Sequence, residues 1–364
     1  MKSILNYFRW LLFPISAVYY GVMGIRNLFY DLGLFKSHVI QNVKIIAVGN
    51  ISTGGTGKTP LVQYIAQFLH TQNKKVAILS RGYKRTTKGY ILGKDYEKVY
   101  HVGTQIGDEP TQYVHNLPFA AVAVSEKRVI GANELVRTVS PEIILLDDAF
   151  QHRAIERNLN IVVLDYHSPP WQDFLLPMGN LREPMISLER ADIVVINKVK
   201  YQPQTQRKLS QFERYIHAIK PNLPIFICSY QPQYLVKIAD GNIVPLEELQ
   251  NKCVFAVCGI GNPDYFIAQL EELKAEIPTV LTLKDHRNFD ASVIKCIQDE
   301  IALLNPDYVV CTEKDFYRMR YTPAYQVLKE IPNFCFLKIE LVFWDQDEEK
   351  FKTAIMEKLF SSPS

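Results

Sequence analysis

Gly54-Gly55-Thr56-Gly57-Lys58-Thr59 is a run whose residue types suit one chemistry, the holding of a polyphosphate. Glycines let backbone N–H groups close around phosphate oxygens, Lys58 adds a point charge, and the Thr59 hydroxyl suits Mg2+. The run follows the apolar stretch 44–47 and precedes Leu61, Ile65, Phe68 and Leu69 at helical spacing, so a strand feeds the loop and a helix leaves it. Ser52 stands where the usual spacing has a first glycine, and Pro60 is tolerated in a first helical turn, where N–H groups lack intrahelical partners. Ser52, Thr53, Gly54, Gly55, Thr56, Gly57, Lys58 and Thr59 form the expected nucleotide-binding set. The alternative is a glycine-rich turn without a ligand.

Asp147 and Asp148 end the apolar run Ile143-Ile144-Leu145-Leu146, at the sheet edge where a phosphate-loop enzyme holds Mg2+, the alternative being acids that merely cap a strand or start a turn. Two neighbouring carboxylates repel without a cation. Adjacent strand residues point to opposite faces, so a regular strand turns only one of them to the metal and leaves the other for orientation or a second ligand. Asp108, in Ile106-Gly107-Asp108-Glu109-Pro110, precedes a helix expected near Thr111. It suits either the proton-accepting role of a kinase base or a helix N-cap. His286 follows a predicted strand, and without further information it reads as structural or exposed.

Two further runs imitate known motifs. Gly259-Ile260-Gly261-Asn262-Pro263 follows a strand but lacks the third glycine of a dinucleotide fingerprint. Asn197-Lys198-Val199-Lys200 begins like a guanine-reading motif, with Lys200 where the aspartate belongs, so guanine selectivity has no support.

These residues need a scaffold, and apolar β-rich runs supply it at 76–79, 120–124, 143–146, 161–164, 193–196 and 225–229, alternating with helical patterns. That alternation predicts a mainly parallel α/β sheet covered by helices. Asp240-Gly241 between runs 234–238 and 243–246 predicts a hairpin, read as the connection to a second, smaller α/β set with strands at 254–258, 280–283, 308–311 and 335–342. The chain of 364 residues accommodates both. The expected division is an N-terminal apolar segment 1–36, a phosphate-loop domain 37–229, and a linker with the smaller domain 230–364.

A net charge of +3 gives no ground for a nucleic-acid partner, and none is expected. Between residues 70 and 101, eight lysines and arginines form a basic stretch that faces either solvent, an anionic substrate or a membrane. Residues 10–25 carry no charge, fall short of the roughly 20 needed to span a bilayer, and lack a cleavage pattern. Trp10, Phe13, Tyr19 and Tyr20 between Arg9 and Arg26 predict an interfacial anchor, against the alternative of a helix packed on the main domain. Cysteines 228, 253, 258, 296, 311 and 335 lack zinc spacing and read as buried free thiols.

The ordered motifs resemble the tetraacyldisaccharide 4'-kinase family, the lipid A kinases of Gram-negative bacteria. The resemblance rests on the apolar N-terminus, residues 49–60, Ser80-Arg81-Gly82-Tyr83, Gly107-Asp108-Glu109-Pro110, Asp147-Asp148-Ala149-Phe150-Gln151-His152, Pro177-Met178-Gly179-Asn180-Leu181-Arg182-Glu183-Pro184, the 259–263 run, Asp285-His286-Arg287 and Thr312-Glu313-Lys314-Asp315. Ala149 departs from the family's usual glycine, which would shift the metal loop, and Arg287 stands where a second histidine is common. The resemblance implies two α/β domains joined by a two-stranded linker. It implies ATP-dependent phosphorylation of the 4'-hydroxyl of an acylated glucosamine disaccharide 1-phosphate, giving lipid IV-A, at the cytoplasmic face of the bacterial inner membrane. Asp108 would be the base with His286 as partner, Lys58 would hold phosphates, and Thr59, Asp147 and Asp148 would serve Mg2+ with Gln151 nearby. A regulatory NTPase or an ATP-dependent ligase is the alternative, and the oligomeric state stays open.

Overall fold

The computed structural model describes residues 9–284, 287 and 289–360. Its strands are β1 (Lys44–Gly49), β2 (Val76–Ser80), β3 (Ile91–Lys94), β4 (Ala121–Val124), β5 (Ile143–Asp147), β6 (Leu159–Asp165), β7 (Ile193–Asn197), β8 (Ile225–Lys237), β9 (Ile243–Val244), β10 (Cys253–Cys258), β11 (Glu276–Thr282), β12 (Tyr308–Thr312) and β13 (Phe334–Phe343). They follow one hydrogen-bonded path, β11-β10-β12-β13-β8-β7-β6-β1-β5-β2-β4-β3, with β9 paired to β8. From β7 to β4 every pairing is parallel, as it is from β11 to β13. Parallel strands covered on both faces need continuous apolar runs, which the sequence has.

The helices are α1 (Phe13–Asp31), α2 (Lys58–Thr71), α3 (Asp108–Asn116), α4 (Arg128–Val139), α5 (Thr205–His217), α6 (Pro263–Glu272), α7 (Ala291–Leu304), α8 (Glu313–Arg320), α9 (Pro323–Leu328) and α10 (Asp347–Phe360). Strand alternation divides the core between two faces. Ile46, Val48, Ile78 and Leu145 pack under Leu61, Ile65 and Leu69 of α2, while Ile45, Ala47, Leu79 and Leu146 pack under Ala132 and Leu135 of α4. In the second half, Phe255 and Val257 meet Val293 and Ile297 of α7, and Val254 and Ala256 meet Phe266 and Leu270 of α6.

The halves are joined by two strands, as the resemblance implies, but not by the hairpin expected to supply them. The Asp240-Gly241 hairpin forms, pairing Leu235 with Val244, but it lies within the second half. The bridge is β8 with β13: Ile225, Phe226 and Ile227 pair with β7, and residues 228–237 continue antiparallel along β13. Runs 225–229 and 234–238 are therefore one strand, with Pro232 facing Ile339 where the register shifts, the kind of irregularity at which a strand proline is accommodated. The expected boundary also fails at its far end. The chain returns through α10, whose Phe351, Ile355 and Leu359 belong to the phosphate-loop core.

All six cysteines are free, four of them buried. The basic stretch is not one surface: Lys94 is buried, its amine donating to the Leu117 carbonyl (3.0 Å) and to the Pro118 carbonyl (2.5 Å).

Candidate active site

β1 delivers the chain into the phosphate loop and α2 leaves it at Lys58. Gly57 caps the helix with φ +89, and a Cβ there would lie 1.7 Å from Tyr230 Oη and 2.0 Å from Asn197 Nδ2. Conformation and space both demand glycine. A cavity of about 770 Å3 opens over the loop, lined among others by Gly54, Gly55, Thr56, Gly57, Lys58 and Thr59. Ser52 and Thr53 are not on its wall. Their backbone instead pairs with the segment carrying Arg182, through a Ser52 to Leu181 bridge and a 2.7 Å bond from Thr53 N to Asn180 O.

β5 lies beside β1 with Asp147 opposite Val48. Asp147 accepts the Ser80 hydroxyl at 3.2 Å, and its backbone oxygen accepts from Arg128 Nη2 at 3.2 Å. The strand ends there, because Asp148 adopts φ 49, the left-handed region that aspartate tolerates. Strict alternation does not apply past that turn, and both carboxylates line the one cavity. Ala149 fits in place of the family's glycine: the positive φ belongs to residue 148. Asp148 meets Lys58 Nζ at 3.3 Å and Arg182 Nη1 at 2.9 Å.

The two acids have opposite electrostatics. Burial, Asp148 and Glu109 push Asp147 up to about 6 against the pull of Lys58 and Arg128. Burial also opposes charge on Asp148, yet Lys58 and Arg182 outweigh it and hold that carboxyl well below the usual carboxylate range. The phenol of fully buried Tyr113 lies beside Asp147 and Thr59 and is raised chiefly by burial.

Helix α3 begins at Asp108, three residues before the expected start, with Gly107 as its cap residue. Asp108 is thus not the N-cap. Its carboxylate takes Arg318 Nε of α8 at 3.0 Å, while Glu109 pairs with Lys314 at 2.9 Å and lines the cavity. His286 lies outside the described residues. Gln151 lines the cavity, but its amide nitrogen donates to Asn50 O at 2.8 Å, so it braces the loop's entrance. Asn197 and Lys198, the guanine-motif fragment, brace its exit: Asn197 Nδ2 reaches Thr56 O (2.9 Å) and Lys198 Nζ reaches Gly55 O (2.5 Å).

Among the described residues no cluster of three or more His, Cys, Asp or Glu is placed to hold a metal unaided. Asp147, Asp148 and Thr59 nonetheless fit Mg2+, which takes one or two carboxylates and completes its shell with phosphate and water oxygens. Two adjacent acids, one largely buried with its ionisation suppressed, are the donor set such a cation relieves.

A family model described as tetraacyldisaccharide-1-P 4'-kinase matches residues 8–360. The chain belongs to that family. A tetraacyldisaccharide 4'-kinase of Chlorobaculum parvum is 36% identical over 343 residues, covering 93% of this chain and 92% of the relative. Its counterpart from Bacteroides thetaiotaomicron is 33% identical over 370 residues, covering 96% and 92%. The crystal structure of Aquifex aeolicus LpxK in complex with ATP superposes with a TM-score of 0.73 at 30% identity, covering 97% of this chain and all of that one. The α/β phosphate-loop kinase architecture is thereby shared over 97% of the chain.

The loop and the acids are legible in the sequence, whereas Arg182, Ser80, Arg128 and Arg318 carry no role there, and Arg26, expected to flank the anchor, lines the cavity instead. Ser80 and Arg182 lay inside quoted motifs. Arg318 follows Asp315 by three residues, the helical spacing of an ion pair, and that was the available signal.

Proposed function

We propose that this chain transfers the γ-phosphoryl group of ATP to the 4'-hydroxyl of an acylated glucosamine disaccharide 1-phosphate at a membrane surface, giving lipid IV-A. One observation carries the reading. The phosphate loop, the acidic pair and helix α1 wall a single cavity, with Tyr19, Met23 and Arg26 as the contribution of α1. Residues 54–59 cradle the phosphates, and Lys58 follows the transferred group. Thr59, Asp147 and Asp148 would hold Mg2+, which neutralises charge on the phosphates. Asp108 accepts the acceptor hydroxyl's proton while its oxygen bonds to the γ-phosphorus, the bond to the bridging oxygen breaks, and ADP leaves. Arg318 orients that carboxylate, and His286 is assigned as its partner on the family resemblance.

Helix α1 supports the membrane part. It docks through polar atoms: Ser16 Oγ to Leu175 O (3.1 Å), Tyr19 Oη to Arg182 O (2.8 Å) and Arg26 Nη2 to Gln151 O (2.7 Å). Phe13, Ile15, Val18, Val22 and Ile25 face outward, each more than half exposed. A helix of a water-soluble surface does the reverse. No described helix is long and apolar enough to cross a membrane, so α1 suits a place in the interface plane, with the cavity beside it.

The deciding experiment incubates the protein with γ-labelled ATP and extracted glycolipid. Label in the lipid supports the kinase reading; label released only as inorganic phosphate supports the NTPase or ligase and ends it.

A further inference from the structure

The run Gly259-Ile260-Gly261-Asn262-Pro263 found no role as a dinucleotide motif, yet it lies against the phosphate loop from the opposite half of the molecule. A Cβ on Gly261 would sit 2.7 Å from Gly55 N and 3.5 Å from Gly54 C. These are backbone atoms, so no side chain can swing aside. The φ of Gly261 lies outside the left-handed region, so its own conformation does not call for glycine. Only the approach of the phosphate loop does. The demand is one-sided, because a Cβ on Gly55 would meet Gly261 N at an ordinary 3.7 Å.

Neither surface is placed to yield. Gly259 N donates to Asp315 Oδ2 (2.9 Å), Gly259 O accepts from Arg318 Nη1 (3.1 Å), and Asn262 Oδ1 caps α6 through Tyr265 N (3.3 Å). On the far side, Lys198, Asn197 and the Tyr230 hydroxyl, the last at 3.2 Å, hold the carbonyls of Gly55, Thr56 and Gly57. Arg318, which ties down Gly259, also donates to Asp108. One side chain thus links the loop over the nucleotide site to the carboxylate assigned as base.

We propose that the 259–263 loop is a working wall of the nucleotide site and that Gly261 is a positioning residue, whose bare backbone sets how closely the second half seats on the phosphate loop. The proposal rests on the reading that residues 54–59 hold ATP. A methyl at 261 forces the halves apart or reshapes the loop, and both raise the ATP dissociation constant.

The test measures ATP binding by calorimetry, and KM for ATP and for lipid, in Gly261→Ala and Lys58→Ala full-length proteins. For Gly261→Ala the expected result is ATP binding weaker by about tenfold, as a small overpacking cost implies, with lipid KM unchanged and the nucleotide-free melting temperature lowered by no more than a few degrees. Asn262→Ala, which frees the loop's far end without adding volume, should weaken ATP by about threefold and serves if Gly261→Ala does not fold. Wild-type ATP affinity in folded Gly261→Ala, with Lys58→Ala impaired, overturns the inference and leaves the nucleotide reading standing. Wild-type affinity in both variants overturns the nucleotide reading together with the inference.

Discussion

Replacing Asp148 by asparagine should change ATP affinity in opposite directions with and without Mg2+. In the protein alone Asp148 is a fixed negative charge, held ionised by Lys58 at 3.3 Å and Arg182 at 2.9 Å, two cations of the cavity wall that could receive phosphate oxygens. Without metal it both occupies these cations and repels the incoming triphosphate. Unit charges about 4 Å apart interact by about 1 kcal/mol in water and about 4 kcal/mol at an effective dielectric of 20. The Asp148 side chain is 36% exposed, which places the effect near the watery end, about 1–2 kcal/mol or 5- to 30-fold in binding. Calorimetric titration of ATP in EDTA should therefore show Asp148→Asn binding 5- to 30-fold tighter than wild type. With Mg2+ the same carboxylate attracts the metal, and its loss should weaken binding. A change of the same sign in both buffers, or none in EDTA, would refute this placement of Asp148 between the cations and the phosphates.

Asp147 predicts a pH effect of definite sign. Its carboxyl is raised to about 6 by burial, Asp148 and Glu109, so it gains a proton as pH falls through that value and a cation must then displace it. Apparent Mg2+ affinity should drop about tenfold per unit below about pH 6, and a metal titration of Asp147→Asn should show that slope flattened. Asp108→Asn should lower kcat about 100-fold or more while leaving ATP affinity intact. Adding His286→Ala should cost little further, whereas losses that multiply would separate the two residues. On α1, Val18 and Ile25 are 68% and 56% exposed, so Val18→Asp with Ile25→Asp should leave folding intact. Losing two apolar side chains from an interface, each contributing up to about 1.5–3 kcal/mol, should reduce vesicle co-sedimentation more than tenfold. Unchanged sedimentation would place the membrane contact elsewhere.

Features that neighbours along the chain specify could be read before any folding. The phosphate loop was legible because its parts are consecutive and its strand and helix flank it directly. The parallel sheet was legible because doubly covered strands must be continuously apolar, and the acidic pair because it closes such a run. The remaining contacts follow from the order of strands in the sheet. Asp108 meets Arg318 across 210 positions, Arg182 reaches Asp148 across 34, and Gly261 lies on Gly55, because the strand order sets β5 beside β1 and β13 beside β8. Periodicity reports that a residue is buried, not which distant element covers it. For the same reason the sequence points to the hairpin as the bridge, since a turn signal is local while the pairing of β8 with β13 is not. The outward face of α1 needed both: apolar composition singled out the segment, and only docking through Ser16, Tyr19 and Arg26 showed which side is left for a membrane.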